Sequence, residues 1–216
     1  MKLQADKAAK PWSLAILPWA AEHWLAMLPA MDDTIFFSGQ FLLATPGMAD
    51  PRFARSVVAI CSHDVNGALG INIGETVEGI SFHDILKQFD IDTADAPDRE
   101  VFLGGPMETQ RGFILHSLDI NMLDTLQVGN SWGLSSSVDM LNAIAKGRGP
   151  EKWTIALGYA GWGEGQLEDE LTQNGWSIAK GTPDWLYDTG SADKWVMAWE
   201  ALGIDPNKLS SGFGSA

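Results

Sequence analysis

The run from Ser56 to Gly74, SVVAICSHDVNGALGINIG, constrains this chain more than any other stretch. Val57, Val58 and Ile60 are β-branched, and such side chains favour the pleated, half-buried surface of a strand. Asn66-Gly67 interrupts the apolar pattern, and ALGINIG resumes it. Asn-Gly between two strand-like runs is a strong hairpin signal, because a type I′ turn needs φ > 0 at both central positions. An antiparallel hairpin with Asn66 and Gly67 at its turn is therefore expected.

Helix signals follow it. Ser81 precedes Phe82, Ile85, Leu86 and Phe89, an apolar stripe at i, i+3, i+4 and i+7 with a capping hydroxyl in front. Ser137 stands in the same relation to Val138, Leu141, Ile144 and Ala145, and Gly147 to Pro150 ends that helix. Further strands are expected in IFFSGQFLLATP, VFLGGP, RGFILHS, MLDTLQV, SWGLS, KWTIALGYAGW and WSIAK. GEGQLEDELTQNG reads as a helix whose acids, crowded into its first half, suit the helix dipole, and DKWVMAWEALG reads as a last helix. Strands come first and helices then mix among them, which is an α+β order rather than a doubly wound α/β one. A length of 216 residues matches one domain with an appendage.

Charge narrows the partners. Fourteen Lys and Arg stand against 28 Asp and Glu, a formal net charge of −14. Phosphate contacts need clustered cations, so direct DNA binding is not expected, and the same sign disfavours an anionic membrane surface. Arg52 and Arg55 in one loop, and Lys146, Arg148 and Lys152 around another, read as a solvated rim. One cysteine, Cys61, excludes an intrachain disulfide framework and Cys-rich metal sites. His23, His63, His83 and His116 lack HxH or HxxxH spacing, so neither metal nor cofactor is expected.

Residues 1–30 differ from the rest, with Lys2, Lys7 and Lys10 against Asp6 and Glu22. Pro18 interrupts the apolar run SLAILPWAA, and Glu22-His23 end it, which argues against a signal peptide or a membrane-spanning helix. A short helix over about 19–28, apolar on most faces and stopped by Pro29, is expected to pack on its own domain. The alternative is self-association through residues 12–28. The division is thus an extension, 1–30, and a domain, 31–216.

Four separated motifs carry a family resemblance: GQFLLATPGMADPRFARSVVAICSHDVNGALGINIG, VFLGGPMETQRGFILHS, GYAGWGEGQLEDEL and ALGIDPNKLS. In this order they resemble the AlgH/YqgE family of bacterial proteins, over roughly Met31 to Ser210. Gly74-Glu75 departs from the Asn-Lys common in related sequences. The resemblance implies a single α+β domain with a bifurcated, partly barrel-like β-sheet surrounded by helices, in a cytoplasmic setting. Family members are mostly uncharacterised. The family name carries a role in transcriptional regulation, which an acidic chain does not support as direct DNA contact.

Three side chains could carry chemistry. Cys61 and His63 lie two apart on one expected strand, hence on one face, and an imidazole near a thiol activates it. Against this, same-face neighbours on a strand are about 7 Å apart, and a free cysteine in an apolar strand is usually a small buried hydrophobe. His116 ends RGFILHS and pairs with His63 only if their strands adjoin. The glycine motifs offer a binding alternative: Gly104, Gly105 and Pro106 in one turn, Gly161, Trp162 and Gly163 in another. Both would bring bare backbone to the surface, although neither has nucleotide-loop spacing. Trp162 between its glycines is either a wedge into the core or an exposed anchor. The resulting expectation is a regulatory or accessory protein that binds a protein partner or small ligand, the alternative being an enzyme using Cys61, His63 or His116.

Overall fold

The computed structural model describes residues 36–93, 96–120, 122–187 and 194–208. The extension 1–30, the helix expected at 19–28 and the tail SSGFGSA lie outside the described residues. Among the described residues ten strands form one sheet: β1 Phe41–Ala44, β2 Val57–Asp64, β3 Gly67–Asn72, β4 Thr76–Ser81, β5 Glu100–Leu103, β6 Met107–His116, β7 Leu126–Val128, β8 Trp132–Ser135, β9 Trp153–Gly163 and β10 Trp176–Ala179. Five α-helices among the described residues accompany it: α1 Phe82–Gln88, α2 Val138–Ala145, α3 Gln166–Thr172, α4 Asp184–Tyr187 and α5 Lys194–Ala201. The strand order is β10-β1-β2-β3-β9-β6-β8-β7, with β4 beside β5 and β5 beside β9.

The sheet forks on β9. Along one edge β6 runs antiparallel from Met107 to His116. On the other edge β5 runs parallel to Ile155–Leu157, and β3 takes over antiparallel to Ala160–Gly163. The sheet curls into a half-barrel as strands diverge from this fork. Both of its faces are covered, which explains the continuous apolar runs in β1 and β2. Phe41, Leu43, Val57 and Ala59 point into the curl with Trp132, Trp195 and Trp199. Leu42, Val58 and Ile60 point outward to Trp162, Leu167 and Trp176. A third cluster joins α1 and α2 to Val101, Ile114 and Ile155.

The helix signals are met locally. Ser81 and Asp84 form a reciprocal capping box on α1, and Ser137 Oγ accepts the Met140 amide of α2 at 3.3 Å. The hairpin forms, but not with the expected turn. Asp64 pairs with Gly67, so the turn residues are Val65 and Asn66, and neither has positive φ. The Asn66 amide instead donates to Asp64 Oδ1 at 2.6 Å, and only Gly67 takes a positive φ, +134°. The chain also forms β4 and α4, for which the sequence offered no signal. TVEGIS lacks a period-2 pattern, and β4 meets β5 only at Thr76↔Phe102 and Ser81↔Glu100.

Candidate functional site

Strand β2 carries two of the three candidate side chains, and one extra residue separates them. Ile60 pairs with Gly70 and Ser62 with Leu69, so Cys61 is a β-bulge without a partner in β3. A bulge inverts the alternation beyond it. Cys61 therefore sits inside the curl with Val57 and Ala59, whereas His63 faces the outer layer opposite Ala68. The same-face expectation for Cys61 and His63 fails for this reason. Burial pushes the Cys61 thiol up to about 12, with the Trp132 indole opposing it weakly. At that value the thiolate is a negligible species near neutral pH.

His63 is bound on both ring nitrogens. The Phe37 amide donates to Nδ1 at 3.2 Å, and Nε2 lies 2.8 Å from Glu168 Oε1 on α3. Phe37 stacks on the ring at 5.3 Å, and Phe36 meets it edge-on at 5.5 Å. His116 lies elsewhere: β3 and β9 stand between β2 and β6, so the two histidines form no pair. His116 is fully buried, with Nδ1 2.8 Å from the Ser117 carbonyl and Nε2 3.1 Å from Ser135 Oγ. Burial holds its imidazole below the ordinary histidine value, against the opposing pull of Ser117, Asp119 and Asp124. Cys61, His63 and His116 thus occupy three separate environments, and no common reacting centre joins them.

The two glycine motifs, by contrast, converge. Gly104 and Gly105 cross β9 so closely that a Cβ on Gly105 would lie 2.2 Å from the Tyr159 carbonyl carbon, and one on Gly104 would lie 2.2 Å from the Gly158 oxygen. Both glycines are buried by this crossing rather than carried to the surface. The Gly104 amide donates to Leu157 O and its carbonyl accepts from Asn72, so its backbone is already paired. Beyond the crossing, Met107 pairs with Tyr159 and Gly112 with Leu157, which leaves Glu108–Arg111 arched off the sheet. Pro106, Met107, Glu108, Thr109 and Gln110 are all exposed along this ledge. Glu108 adopts φ +43°, unusual for a residue with a side chain, and its carboxylate meets Arg111 at 3.2 Å. Arg111 also donates to Ser136 Oγ and lies over Phe113. Burial and the nearby Glu108 charge push the Tyr159 phenol above its ordinary value. Met107 Sδ would lie 2.8 Å from a Cβ on Gly161, so the second motif is the floor on which the ledge rests.

Trp162 is the wedge, 6% exposed in the outer cluster. Its Nε1 donates to Glu170 Oε2 at 2.9 Å, and Trp176 Nε1 donates to the same oxygen at 2.8 Å. The Gly163 amide is taken by Gln166 Oε1. Of the basic loop residues, Arg52 pairs with Asp50, Lys152 with Asp184, and Arg55 covers the Trp195 ring. Among the described residues no cluster of His, Cys, Asp or Glu could hold a metal ion.

The family model described as AlgH-like matches residues 41–207. The chain belongs to the AlgH-like family. A UPF0301 protein of Novosphingobium aromaticivorans is 49% identical over 186 residues, covering 86% of this chain and all of the relative. One of Rhizorhabdus wittichii is 46% identical over the same length and coverage. The solution structure of the AlgH protein from Pseudomonas aeruginosa aligns with a TM-score of 0.70 at 36% identity, covering 87% of this chain and all of that one. A crystal structure of a Corynebacterium diphtheriae protein, TM-score 0.62 at 21% identity over 79% of this chain and 90% of that one, shares the fold. The bifurcated sheet surrounded by helices is the AlgH-like architecture.

Within this AlgH-like site, sequence reasoning missed Glu168, Glu170, Glu108, Arg111 and Tyr159. The α3 acids read only as dipole complements, yet Glu168 and Glu170 turn inward to His63 and to two indoles. METQR carried no chemical signature, only a share of the family resemblance. Its one other signal is position, directly after a Gly-Gly-Pro turn that the fold lays across GYAGW.

Proposed function

We propose that this AlgH-like chain is a cytoplasmic regulatory or accessory protein that works by binding a protein partner or small ligand, not by catalysis or direct DNA contact. The observation that carries the reading is the exposed ledge Pro106–Gln110, raised where Gly104–Gly105 cross Gly158–Tyr159. It presents apolar Pro106 and Met107 beside polar Glu108, Thr109 and Gln110, supported by a crossing too close for other residues. Surface side chains on a rigid backbone crossing suit recognition. The buried positions of Cys61 and His116 support binding over nucleophilic chemistry. No helix among the described residues is long and apolar enough to cross a membrane.

Affinity purification from the native cell, followed by mass spectrometry, tests this. The expected result is a partner captured by the native chain and lost from Met107→Glu, a surface change that leaves the far-ultraviolet spectrum intact. Identical partner profiles would sink the ledge as the binding surface. Self-association through residues 12–28 belongs to the same proposal, as the alternative to packing on the chain's own domain. Light scattering separates them: an unchanged number of chains per particle after removal of residues 1–29 supports packing on the domain, and a fall in that number supports self-association.

A further inference from the structure

We propose that the cavity between strands β4 and β5 is a binding site for a small aliphatic diamine, a linear molecule with an ammonium group near each end. The cavity exists because the two strands part. They pair at Thr76↔Phe102 and again at Ser81↔Glu100, so the stretch Val77–Ile80 stands opposite Val101 alone. The surplus chain bows outward at Gly79, which takes φ +74° with nothing within 4 Å of an added Cβ. The space left has a volume of about 380 Å³, within the size range of small-molecule sites. It is separate from the ledge, since β5 and β4 lie beyond one edge of β9 and β6 runs along the other.

The lining decides the class of ligand. Val77 and Ile80, both half-buried, supply apolar wall, and Glu78 of β4, Glu100 of β5 and Asp84 of α1 bring carboxylates from three elements. Asp84 is already engaged: Lys87 meets Oδ1 at 3.1 Å, the Ser81 amide and hydroxyl donate to Oδ2, and these contacts hold its carboxyl below the usual range. Glu78 and Glu100 are exposed, and neither has an ion-pair partner among the described residues. Residues 75–100 contain only two cations, Lys87 and Arg99, and Arg99 is committed to the Trp153 carbonyl and ring. The lining thus carries two uncompensated negative charges, which repel an anion. Nor does it suit a single metal ion, since no three His, Cys, Asp or Glu among the described residues converge to hold one. Separate carboxylates beside an apolar wall match a cation at each end of an aliphatic chain. Its methylene groups lie on Val77 and Ile80, while its ammonium groups reach Glu78 and Glu100 at the wet rim.

Calorimetric titration of the full chain with diaminopentane tests this, with amide NMR shifts to locate the bound amine. Salt of about 0.1 M screens charges farther apart than about 10 Å and so suppresses attraction by the net charge alone. Saturable binding of one amine per chain is expected, with shifts centred on Val77–Ser81 and Glu100. Pentylamine keeps the aliphatic chain but has one charge, and it is expected to bind about threefold or more weakly, the scale of one exposed ion pair. Glu78→Gln and Glu100→Gln are each expected to weaken diamine binding by a similar factor. Glu200→Gln, which removes the same charge from α5, and Met107→Glu on the ledge are expected to leave it unchanged. Equal weakening in either control would assign the binding to the overall field and overturn the proposal. Absence of saturation, or shifts spread over the surface, does the same. Equal affinity for pentylamine also overturns it, because a singly charged chain such as a partner's lysine would then suffice.

Discussion

The two candidate histidines are bonded differently, and His116 has the plainest consequence. Buried between Ser117 and Ser135, it titrates below its ordinary value in the folded protein. Above an unfolded-state value of about 6.5 both states are neutral, and its contribution to stability is complete. As pH falls below that, the unfolded chain takes up a proton that the folded chain refuses, so stability is lost towards the folded value. The slope reaches at most about 1.4 kcal/mol per pH unit. Urea unfolding at pH values spanning this window is expected to show a steeper acid loss in the native chain than in His116→Gln. Equal slopes would assign the acid sensitivity elsewhere. Sequence placed His116 at a strand end and Cys61 in an apolar strand, both correctly. It was silent on Trp132, whose indole lies against the thiol, because that neighbour is contributed by a strand 71 positions away.

At the scale of elements, the β2–β3 hairpin and its seat on β9 are the critical junction. Gly67 closes the hairpin, and a Cβ there would lie 2.1 Å from the Trp162 carbonyl oxygen at φ +134°. Gly67→Ala therefore has to part β3 from β9, and it is expected to cost about 3 kcal/mol or more. Gly79 is the control: it has φ +74° with nothing within 4 Å of an added Cβ. Gly79→Ala carries only the left-handed strain, about 1–2 kcal/mol. Urea midpoints of the two variants check the ordering, and equal losses would show that conformation rather than the crossing explains Gly67. The hairpin was legible because its signal is local. Its turn type was not, because Asn-Gly also suits a turn one residue earlier, and the approach of β9 makes Gly67 the residue that must follow it.

For the whole molecule, the charge of −14 and the arrangement of the few cations point the same way. Arg52 and Lys152 are ion-paired, Arg111 is engaged by Glu108 and Ser136, and Arg55 and Arg99 lie over Trp195 and Trp153. Their charges are distributed as staples around the domain rather than gathered for phosphate. A filter-binding assay at low salt is therefore expected to retain neither DNA nor RNA, since non-specific affinity rests on such contacts. Retention that falls steeply with salt would reverse this reading.

By itself the sequence determined the helix caps at Ser81 and Ser137, the hairpin, the α+β order and the acidic net charge. All of these depend on neighbours within a few positions or on composition alone. The tertiary structure decided the face on which each candidate side chain lies and which motifs meet. A single bulge at Cys61 turned His63 to the other side of the sheet, and bulges arise from the pairing of strands, not from the residues of one strand. The fork on β9 brought Gly104–Gly105 onto Gly158–Tyr159 across 54 positions of chain. Contacts at that separation are set by strand pairing and packing, and no local pattern encodes them.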